Sequence, residues 1–132
     1  LVSYGSTLNL CLQALPAIEK LGISIELIDI QTLLPFDLNH DIKKSLEKTN
    51  RLLIVDEDVS AGATAYILEK ILVEQEGYYC LDEAPKTLSA KDHRPAYGSD
   101  GDYFSKPSVD TVFSTIYQMM HESNPSKWPS LL

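Results

Sequence analysis

The sequence predicts an α/β domain of three layers, in which helices cover both faces of a five-stranded, mainly parallel but mixed sheet. Short β-branched runs alternate along the chain with longer segments whose apolar residues recur at helical spacing. The strand-like runs are apolar on nearly every residue, which is typical of strands covered on both faces. Because neighbouring parallel strands need crossover connections, this alternation favours a mainly parallel sheet.

The first half of the chain is expected to hold two strands and two helices. The first strand, residues 1–4, ends at a glycine and a serine, and the Ser6 hydroxyl is expected to cap a helix of about four turns. The run 24–30 (SIELIDI) predicts the second strand. Asp37, which follows a proline by two residues, is expected to cap a second helix over 38–48.

The second half is expected to hold three strands and two helices. The apolar run 51–55 (RLLIV) predicts the third strand, and a helix follows it as far as the glycine at position 77. Residues 78–81 and 86–90 predict the last two strands. A polar loop, 91–106, is long enough to suggest a function and leads into a final helix with one apolar face.

Composition limits the classes of function. The 132 residues suffice for one domain, which we assign to residues 1–122, followed by a tail over 123–132. Eleven basic and nineteen acidic residues give a net charge of −8, which argues against a nucleic-acid partner because phosphate binding needs clustered positive charge. No apolar run approaches the roughly 18 residues of a membrane span. We therefore expect neither nucleic acid nor a membrane as a partner.

The cysteines and the first residues suggest the context of the chain. Cys11 and Cys80 lie among apolar residues, which predicts reduced, buried thiols and a cytoplasmic protein. The chain opens inside a predicted strand, without an initiator methionine, as expected of a piece of a longer protein.

Three consecutive carboxylates, Asp56, Glu57 and Asp58, follow the third predicted strand. Carboxylates at the carboxyl end of a strand hold Mg²⁺ in receiver-like domains, but such a domain also needs an acidic pair after its first strand, where this chain has Gly5-Ser6. The alternative is a solvated turn whose acids favour the N-terminus of the following helix.

Further candidates lie near the C-terminus. His93 and Arg94 in the polar loop suit an anionic ligand or an ordinary loop surface. Trp128 in the tail is expected either to pack on its own domain or to belong to an interface. The dinucleotide fingerprint, the phosphate loop, the nucleophile elbow and the common His and Cys metal patterns do not occur in the sequence.

Several segments together resemble the C-terminal domain of transketolase-like, thiamin-diphosphate-dependent enzymes. The likeness is nearest to the β subunit of 2-oxo acid dehydrogenase decarboxylating components of the pyruvate or branched-chain type. The segments are 1–5 (LVSYG), 28–37 (IDIQTLLPFD), 51–57 (RLLIVDE), 60–63 (SAGA), 81–85 (LDEAP), and 92–95 (DHRP) with 103–107 (YFSKP). Their order and spacing carry the resemblance over nearly the whole chain.

The resemblance implies that this domain serves assembly rather than catalysis. The parent enzyme would use thiamin diphosphate and Mg²⁺, bound mostly by two other domains, so the resemblance implies no catalytic, cofactor or metal ligand in this chain. It also implies one antiparallel edge strand, a homodimer in the parent, contacts with other domains or subunits of the decarboxylating component, and docking to the small basic binding domain of a lipoyl acyltransferase core. The interface candidates are Asp56, Glu57, Asp58, Glu69, Glu74, Asp92, His93, Arg94, Tyr97 and Trp128.

Two other functions stay open at this point. The first is the same domain in a transketolase or a deoxyxylulose phosphate synthase, against which the LDEAP segment at 81–85 favours the dehydrogenase. The second is a stand-alone flavodoxin-like or receiver-like binding module, which the missing phosphate loop and first-strand acids disfavour.

Overall fold

The fold is an α/β domain built on a parallel sheet, and the structure, a computed structural model, describes residues 1–131. Four strands and five α-helices alternate along the chain. They are β1 (Val2–Ser3), α1 (Gly5–Lys20), β2 (Ile28–Asp29), α2 (Asp41–Thr49), β3 (Leu53–Val59), α3 (Ala63–Leu68), β4 (Lys86–Ala90), α4 (Gly101–Ser105) and α5 (Val109–Ser123). A π-helical segment, Glu69–Glu74, extends α3, and a 3₁₀ turn, Gly77–Cys80, follows it.

The strands lie in the order β2-β1-β3-β4, and every neighbouring pair is parallel. The α/β class and the parallel sheet are as predicted, whereas the five-strand count and the antiparallel edge are not found within residues 1–131. Residues 78–81 do not form a strand, because the chain turns as a 3₁₀ helix and the side-chain amide of Asn50 donates to the Cys80 carbonyl at 2.9 Å. That carbonyl is therefore bound outside any sheet ladder.

The second strand is shorter than its sequence suggests. Of the β-branched run 24–30, only Ile28–Asp29 forms a strand, in register with Val2 and Ser3 of β1. Because β1 is two residues long, it offers β2 only two partners. Hydrophobicity in this run predicted a strand correctly, but the length of the ladder depends on the partner strand.

Two apolar clusters show the three layers. Residues of α1 and α5 pack on one face of the sheet, where Leu53 and Val55 of β3 point. Residues of α2 and α3 pack on the other face, around Leu52 and Ile54. Successive residues of β3 thus alternate between the two clusters, as the pleat of a strand requires.

Of the two capping residues that the sequence predicts, one bonds the start of its helix and the other does not. The Asp37 carboxylate accepts hydrogen bonds from the backbone N–H groups of Asp41 and Ile42 at 3.0 and 3.1 Å, so it caps α2 as predicted, although the helix begins three residues later than expected. Ser6 does not cap α1: the capping position falls on Tyr4, and the Ser6 hydroxyl bonds Glu57 instead.

The C-terminal tail packs on the domain. Trp128 is buried with 7% of its surface exposed, edge-on to the ring of Tyr117. The Tyr117 hydroxyl donates to the carbonyl of Pro129 at 2.8 Å, and His121 Nδ1 lies 2.6 Å from the Trp128 carbonyl oxygen. Of the predicted tail 123–132, only Leu132 lies outside the described residues. Among the described helices, none has the length and apolarity that crossing a bilayer requires.

Candidate functional site at the carboxyl edge of the sheet

The candidate site lies where the chain changes direction across the sheet. β1 and β3 are the two inner strands. The connection after β1 leads to β2 on one side, and the connection after β3 leads to β4 on the other, so the switch point lies between β1 and β3. In open parallel sheets such a switch point forms a crevice at the carboxyl ends of the strands, where ligands bind. Here Tyr4 follows β1, and the acidic run that begins at Asp56 completes β3.

Asp56 is a buried carboxylate at this edge. Only 2% of its surface is exposed, and its Oδ1 accepts a hydrogen bond from the backbone N–H of Glu57 at 2.8 Å. Its Oδ2 is buried and has no hydrogen-bond partner within residues 1–131. Burial, followed by the adjacent Asp56 carboxylate, raises the pKa of the Tyr4 phenol to about 12. The solvated-turn alternative therefore does not describe Asp56, because its side chain is buried.

Glu57 and Asp58 turn to different partners. The Ser6 hydroxyl donates to Glu57 Oε2 at 3.0 Å, and Lys106 Nζ lies 4.0 Å from the same oxygen. The Asp58 carboxylate accepts from the backbone N–H groups of Val59 at 2.8 Å and of Ala63 at 3.4 Å, at the start of α3. Neighbouring residues of a strand point to opposite faces, which separates Glu57 from the other two acids.

This arrangement does not fit a magnesium site. The carboxylates of Asp56, Glu57 and Asp58 each engage groups of this chain, and no three His, Cys, Asp or Glu side chains converge on a metal position anywhere in residues 1–131. Mg²⁺ needs oxygens that converge in near-octahedral geometry. For Asp58 the geometry supports the alternative of a solvated turn that favours the next helix. Asp56 is buried and does not belong to such a turn.

Asp92 is the one candidate from the polar loop that reaches the sheet edge. Its Oδ1 accepts a hydrogen bond from the backbone N–H of Ser60 at 3.2 Å, which joins the loop after β4 to the turn after β3. His93 and Arg94 engage their own loop instead. The His93 ring lies 5.6 Å from the ring of Phe104, and the Arg94 guanidinium lies over the Tyr97 ring and donates to its hydroxyl.

The remaining candidates are spread over the surface. Glu69 and Glu74 are exposed on the segment that extends α3, and Lys70 Nζ lies 2.8 Å from Glu74 Oε1. This hydrogen bond raises the pKa of Lys70. Tyr97 is 83% exposed, as predicted. Trp128 is buried within the domain, which supports the first of its two alternatives, packing on its own domain.

The sequence did not indicate four residues of this region as site residues. Tyr4 and Ser6 carry a weak signal, since both directly follow the first strand. No sequence signal indicates Lys106 or Ser105, because the position of both depends on how the 91–106 segment folds back. Lys106 faces Glu57, and the buried Ser105 hydroxyl has no partner among the described residues. That segment, expected to be a loop, contains the short helix α4.

A model of the transketolase C-terminal domain matches residues 1–106. This chain belongs to the transketolase C-terminal domain family. The match confirms the resemblance found in the sequence. The matched residues include the whole sheet and the carboxyl edge described above, while α5 and the tail lie beyond them.

Curated relatives in this family are β subunits of oxidoreductases. The chain is 29% identical over 116 residues to the pyruvate dehydrogenase E1 component subunit beta of Rhizobium meliloti, covering 88% of this chain and 25% of the relative. It is 41% identical over 86 residues to the mitochondrial 2-oxoisovalerate dehydrogenase subunit beta of Chaetomium thermophilum, covering 64% of this chain and 18% of the relative. The acetoin:2,6-dichlorophenolindophenol oxidoreductase subunit beta of Bacillus subtilis is 33% identical over 127 residues, which is 92% of this chain and 35% of the relative.

Proposed function

We propose that this chain is the C-terminal assembly and docking domain of the β part of a 2-oxo acid dehydrogenase decarboxylating component. The parent would decarboxylate pyruvate or a branched-chain 2-oxo acid oxidatively and transfer the acyl group to a lipoyl carrier. The observation that carries this proposal is the family match together with the relatives, which include β subunits of a pyruvate and of a 2-oxoisovalerate dehydrogenase. The chain spans only 25% and 18% of these two relatives, so catalysis would belong to the complete protein.

We assign the binding of thiamin diphosphate and Mg²⁺ to other domains of the parent. The acids at the carboxyl edge do not converge on one point: Asp56 is buried, while the exposed Glu57 and Asp58 engage different groups of the chain. These residues therefore do not fit the cofactor.

The distribution of exposed charge supports a docking surface. The side chains of Glu57, Asp58, Glu69 and Asp92 are exposed, and the whole chain carries a net charge of −8. Such a surface suits the small basic binding domain of an acyltransferase core, because rim charges of opposite sign accelerate association and select partners. Glu74 would contribute less than Glu69, since its carboxylate already pairs with Lys70.

The aromatic side chains of the 91–106 segment favour contact with other domains or a second subunit. Tyr97, Tyr103 and Phe104 are all more than half exposed. Exposed aromatic residues that lie together mark protein interfaces more often than ordinary surface. We place the contact with a homodimeric partner or with neighbouring domains of the parent on this segment.

The relatives also favour a second reaction class for the parent. The Bacillus subtilis relative that aligns over 92% of this chain is named for acetoin and a dye acceptor rather than for a 2-oxo acid. An acetoin-cleaving parent is therefore the second candidate. A transketolase or deoxyxylulose phosphate synthase parent stays an alternative on the family match alone. We propose a cytoplasmic location, which cell fractionation tests, since two relatives are named as mitochondrial.

Surface plasmon resonance tests the docking role. The chain is passed over the immobilised binding domain of a lipoyl acyltransferase core at low and at physiological salt. We expect binding that weakens as salt rises, and a loss of about 1–3 kcal/mol when Glu69→Lys and Glu74→Lys are combined. The matched control is Glu19→Lys with Glu47→Lys, two exposed acids on α1 and α2, which should cost much less. Equal losses from both pairs would show that only net charge matters, and no binding at low salt would refute docking by this domain.

A further inference from the structure

We propose that a groove at the amino end of the sheet receives an extended segment of the parent protein, the stretch that leads into Leu1, as a continuation of β1. This inference rests on the proposed function only in that the chain is one domain of a longer protein. The amino-end groove, as we name it, lies between residues 22–26 and 49–53 and has a volume of about 170 Å³. It lies at the opposite end of the sheet from the candidate site, because these residues precede β2 and β3.

The width of the groove matches one strand. β2 and β3 are both neighbours of β1, so they lie two strand spacings apart, which is about 9–10 Å. The segments that precede them flank the groove, and Leu1, in line with β1, also lines it. A strand that continues β1 towards the amino end of the sheet therefore fills the space between the two segments.

Backbone hydrogen bonds beside the groove already follow the pattern of a parallel ladder. The Leu1 amino group donates to the Glu26 carbonyl at 3.0 Å, and the Leu1 carbonyl accepts from the Ile28 N–H at 2.9 Å. In a parallel ladder a residue bonds in this way to the two residues that flank its opposite number on the neighbouring strand. Leu1 is therefore a ladder residue, although β1 begins at Val2.

The next two groups of this ladder lack partners. The N–H of Glu26 and the carbonyl of Ser24 make no hydrogen bond to any of residues 1–131. If the pattern continues, the residue two positions before Leu1 donates to the Ser24 carbonyl and accepts from the Glu26 N–H. The β-branched run 24–30 then pairs over more of its length, in agreement with the longer strand that its sequence predicts.

The amino group of Leu1 occupies the position of a peptide N–H. Burial lowers the pKa of this amino group to about 6, because the ammonium form loses its hydration. A peptide N–H makes the same hydrogen bond to Glu26 with no charge to desolvate. The ladder geometry and this burial together support a continuous backbone through Leu1.

The apolar floor of the groove specifies the side chains of the segment. Leu1 packs against the cluster that includes Ile116, Met119 and Trp128, and the same three residues line the groove. Side chains two positions apart in a strand share a face, so the residue two positions before Leu1 also faces this floor. We therefore expect an apolar side chain at that position, where burial removes it from water.

The parent protein itself supplies the occupant. This chain spans 25% and 18% of two β subunits that it resembles, so most of such a protein lies outside it. A segment joined covalently to Leu1 has a high effective concentration at the groove. It therefore binds there in preference to a separate peptide or a second copy of the chain.

Hydrogen exchange followed by NMR tests the proposal on two chains. One is the 132-residue chain, and the other carries in addition the four residues that precede Leu1 in the parent. The Glu26 amide should exchange at least about tenfold more slowly in the longer chain, because it gains a hydrogen bond within the sheet. The matched control is the Leu27 amide, which faces the outer edge of β2 and should exchange equally fast in both chains.

Contacts and variants of the longer chain locate the added segment. Nuclear Overhauser effects should join the side chain two positions before Leu1 to Met119 or to the Trp128 ring. Proline at that position removes the N–H that the Ser24 carbonyl accepts, so most of the gain in Glu26 protection should be lost. Alanine at the same position keeps the N–H and should retain most of the gain.

Equal exchange of the Glu26 amide in the two chains would overturn the proposal, as would contacts of the added residues outside the groove. Protection of Glu26 in the 132-residue chain that rises with protein concentration would show a second copy in the groove instead. None of these measurements involves turnover, so their failure is distinct from a failure of the proposed function.

Discussion

Arg51 Nε lies 3.0 Å from Glu83 Oε1, and this ion pair joins two of the segments on which the family resemblance rests. Arg51 precedes β3, and Glu83 lies in the LDEAP segment before β4. Both side chains are largely buried, with 31% and 21% exposed, and neither of the two atoms has a hydrogen-bond partner in the part of the chain described. Each charge therefore depends on the other.

Breaking this pair should destabilise the domain measurably. Glu83→Gln leaves the partly buried Arg51 guanidinium uncompensated, so we expect a loss of about 1–2 kcal/mol, between the values of exposed and fully buried pairs. Urea unfolding measures this loss. The control is Asp41→Asn, which breaks the exposed pair with Lys44 and should cost under about 0.5 kcal/mol. Equal effects of the two variants would show that the Arg51–Glu83 pair contributes nothing special.

The Tyr4 phenol should titrate well above the ordinary value of a tyrosine. Its pKa of about 12 exceeds the unfolded value near 10, so the folded state favours the neutral phenol. The resulting stability is fully present below about pH 10 and is lost as pH rises from about 10 to 12. NMR of ¹³C-tyrosine-labelled protein measures this, with Tyr4→Phe to assign the signal.

The Asp56 carboxylate should account for part of that shift. Asp56→Asn removes the negative charge beside Tyr4, so the phenol pKa should fall toward 10 while burial keeps it above the ordinary value. Glu26→Gln, remote from Tyr4 and paired with Lys48, serves as the control. An unchanged Tyr4 pKa in Asp56→Asn would contradict the account of this edge.

Trp128 should contribute strongly to stability. It is the only tryptophan of the chain and is buried against Tyr117, so its emission should be blue-shifted in the folded state and should shift red on unfolding. Trp128→Ala should cost about 3–5 kcal/mol, as for other buried large-to-small changes. Tyr79→Ala, at an 84% exposed position, should cost under about 0.5 kcal/mol. A folded-state emission like that of free tryptophan would show that the tail is detached.

The exposed aromatic side chains of the 91–106 segment should drive self-association. Sedimentation velocity at several concentrations should show a dimer that Tyr97→Ser weakens, because that ring is 83% exposed. Tyr79→Ser removes a similarly exposed ring elsewhere and should leave the dimer intact. A monomer at high micromolar concentration would mean that other domains of the parent are required.

Most of the elements were predictable because they depend on local pattern, whereas the turn at 78–81 and the carboxyl edge were not. Residues 86–90 form a strand and Asp37 caps α2, as their sequence signals indicate. Residues 78–81 carry β-favouring tyrosines, yet Asn50 and the close packing of Gly77 against the Ile71 carbonyl hold them in a 3₁₀ turn. The Asn50–Cys80 contact joins residues 30 positions apart, and the packing of Gly77 requires that the Ile71 carbonyl is already in position. No local sequence pattern therefore reveals either contact.

The environments of the individual site residues also depend on contacts that no local sequence pattern reveals. The acidic run 56–58 suggested either a magnesium site or a solvated turn, but the pleat of β3 and the following turn give each carboxylate a different environment. Asp56 faces the interior because the strand continues through it to Val59. Ser105 gave no signal, since only the fold of the 91–106 segment against β4 buries its hydroxyl.

The protein carrying this domain should be a 2-oxo acid dehydrogenase component, a claim that dye reduction by the complete protein tests. Purified protein, with its companion subunit and thiamin diphosphate with Mg²⁺, is given pyruvate, 2-oxoisovalerate or acetoin, and reduction of 2,6-dichlorophenolindophenol is followed. We predict cofactor-dependent reduction with one of the 2-oxo acids at a kcat/KM well above that for acetoin. Reduction with acetoin alone, or ketol transfer between sugar phosphates in place of dye reduction, would contradict the claim.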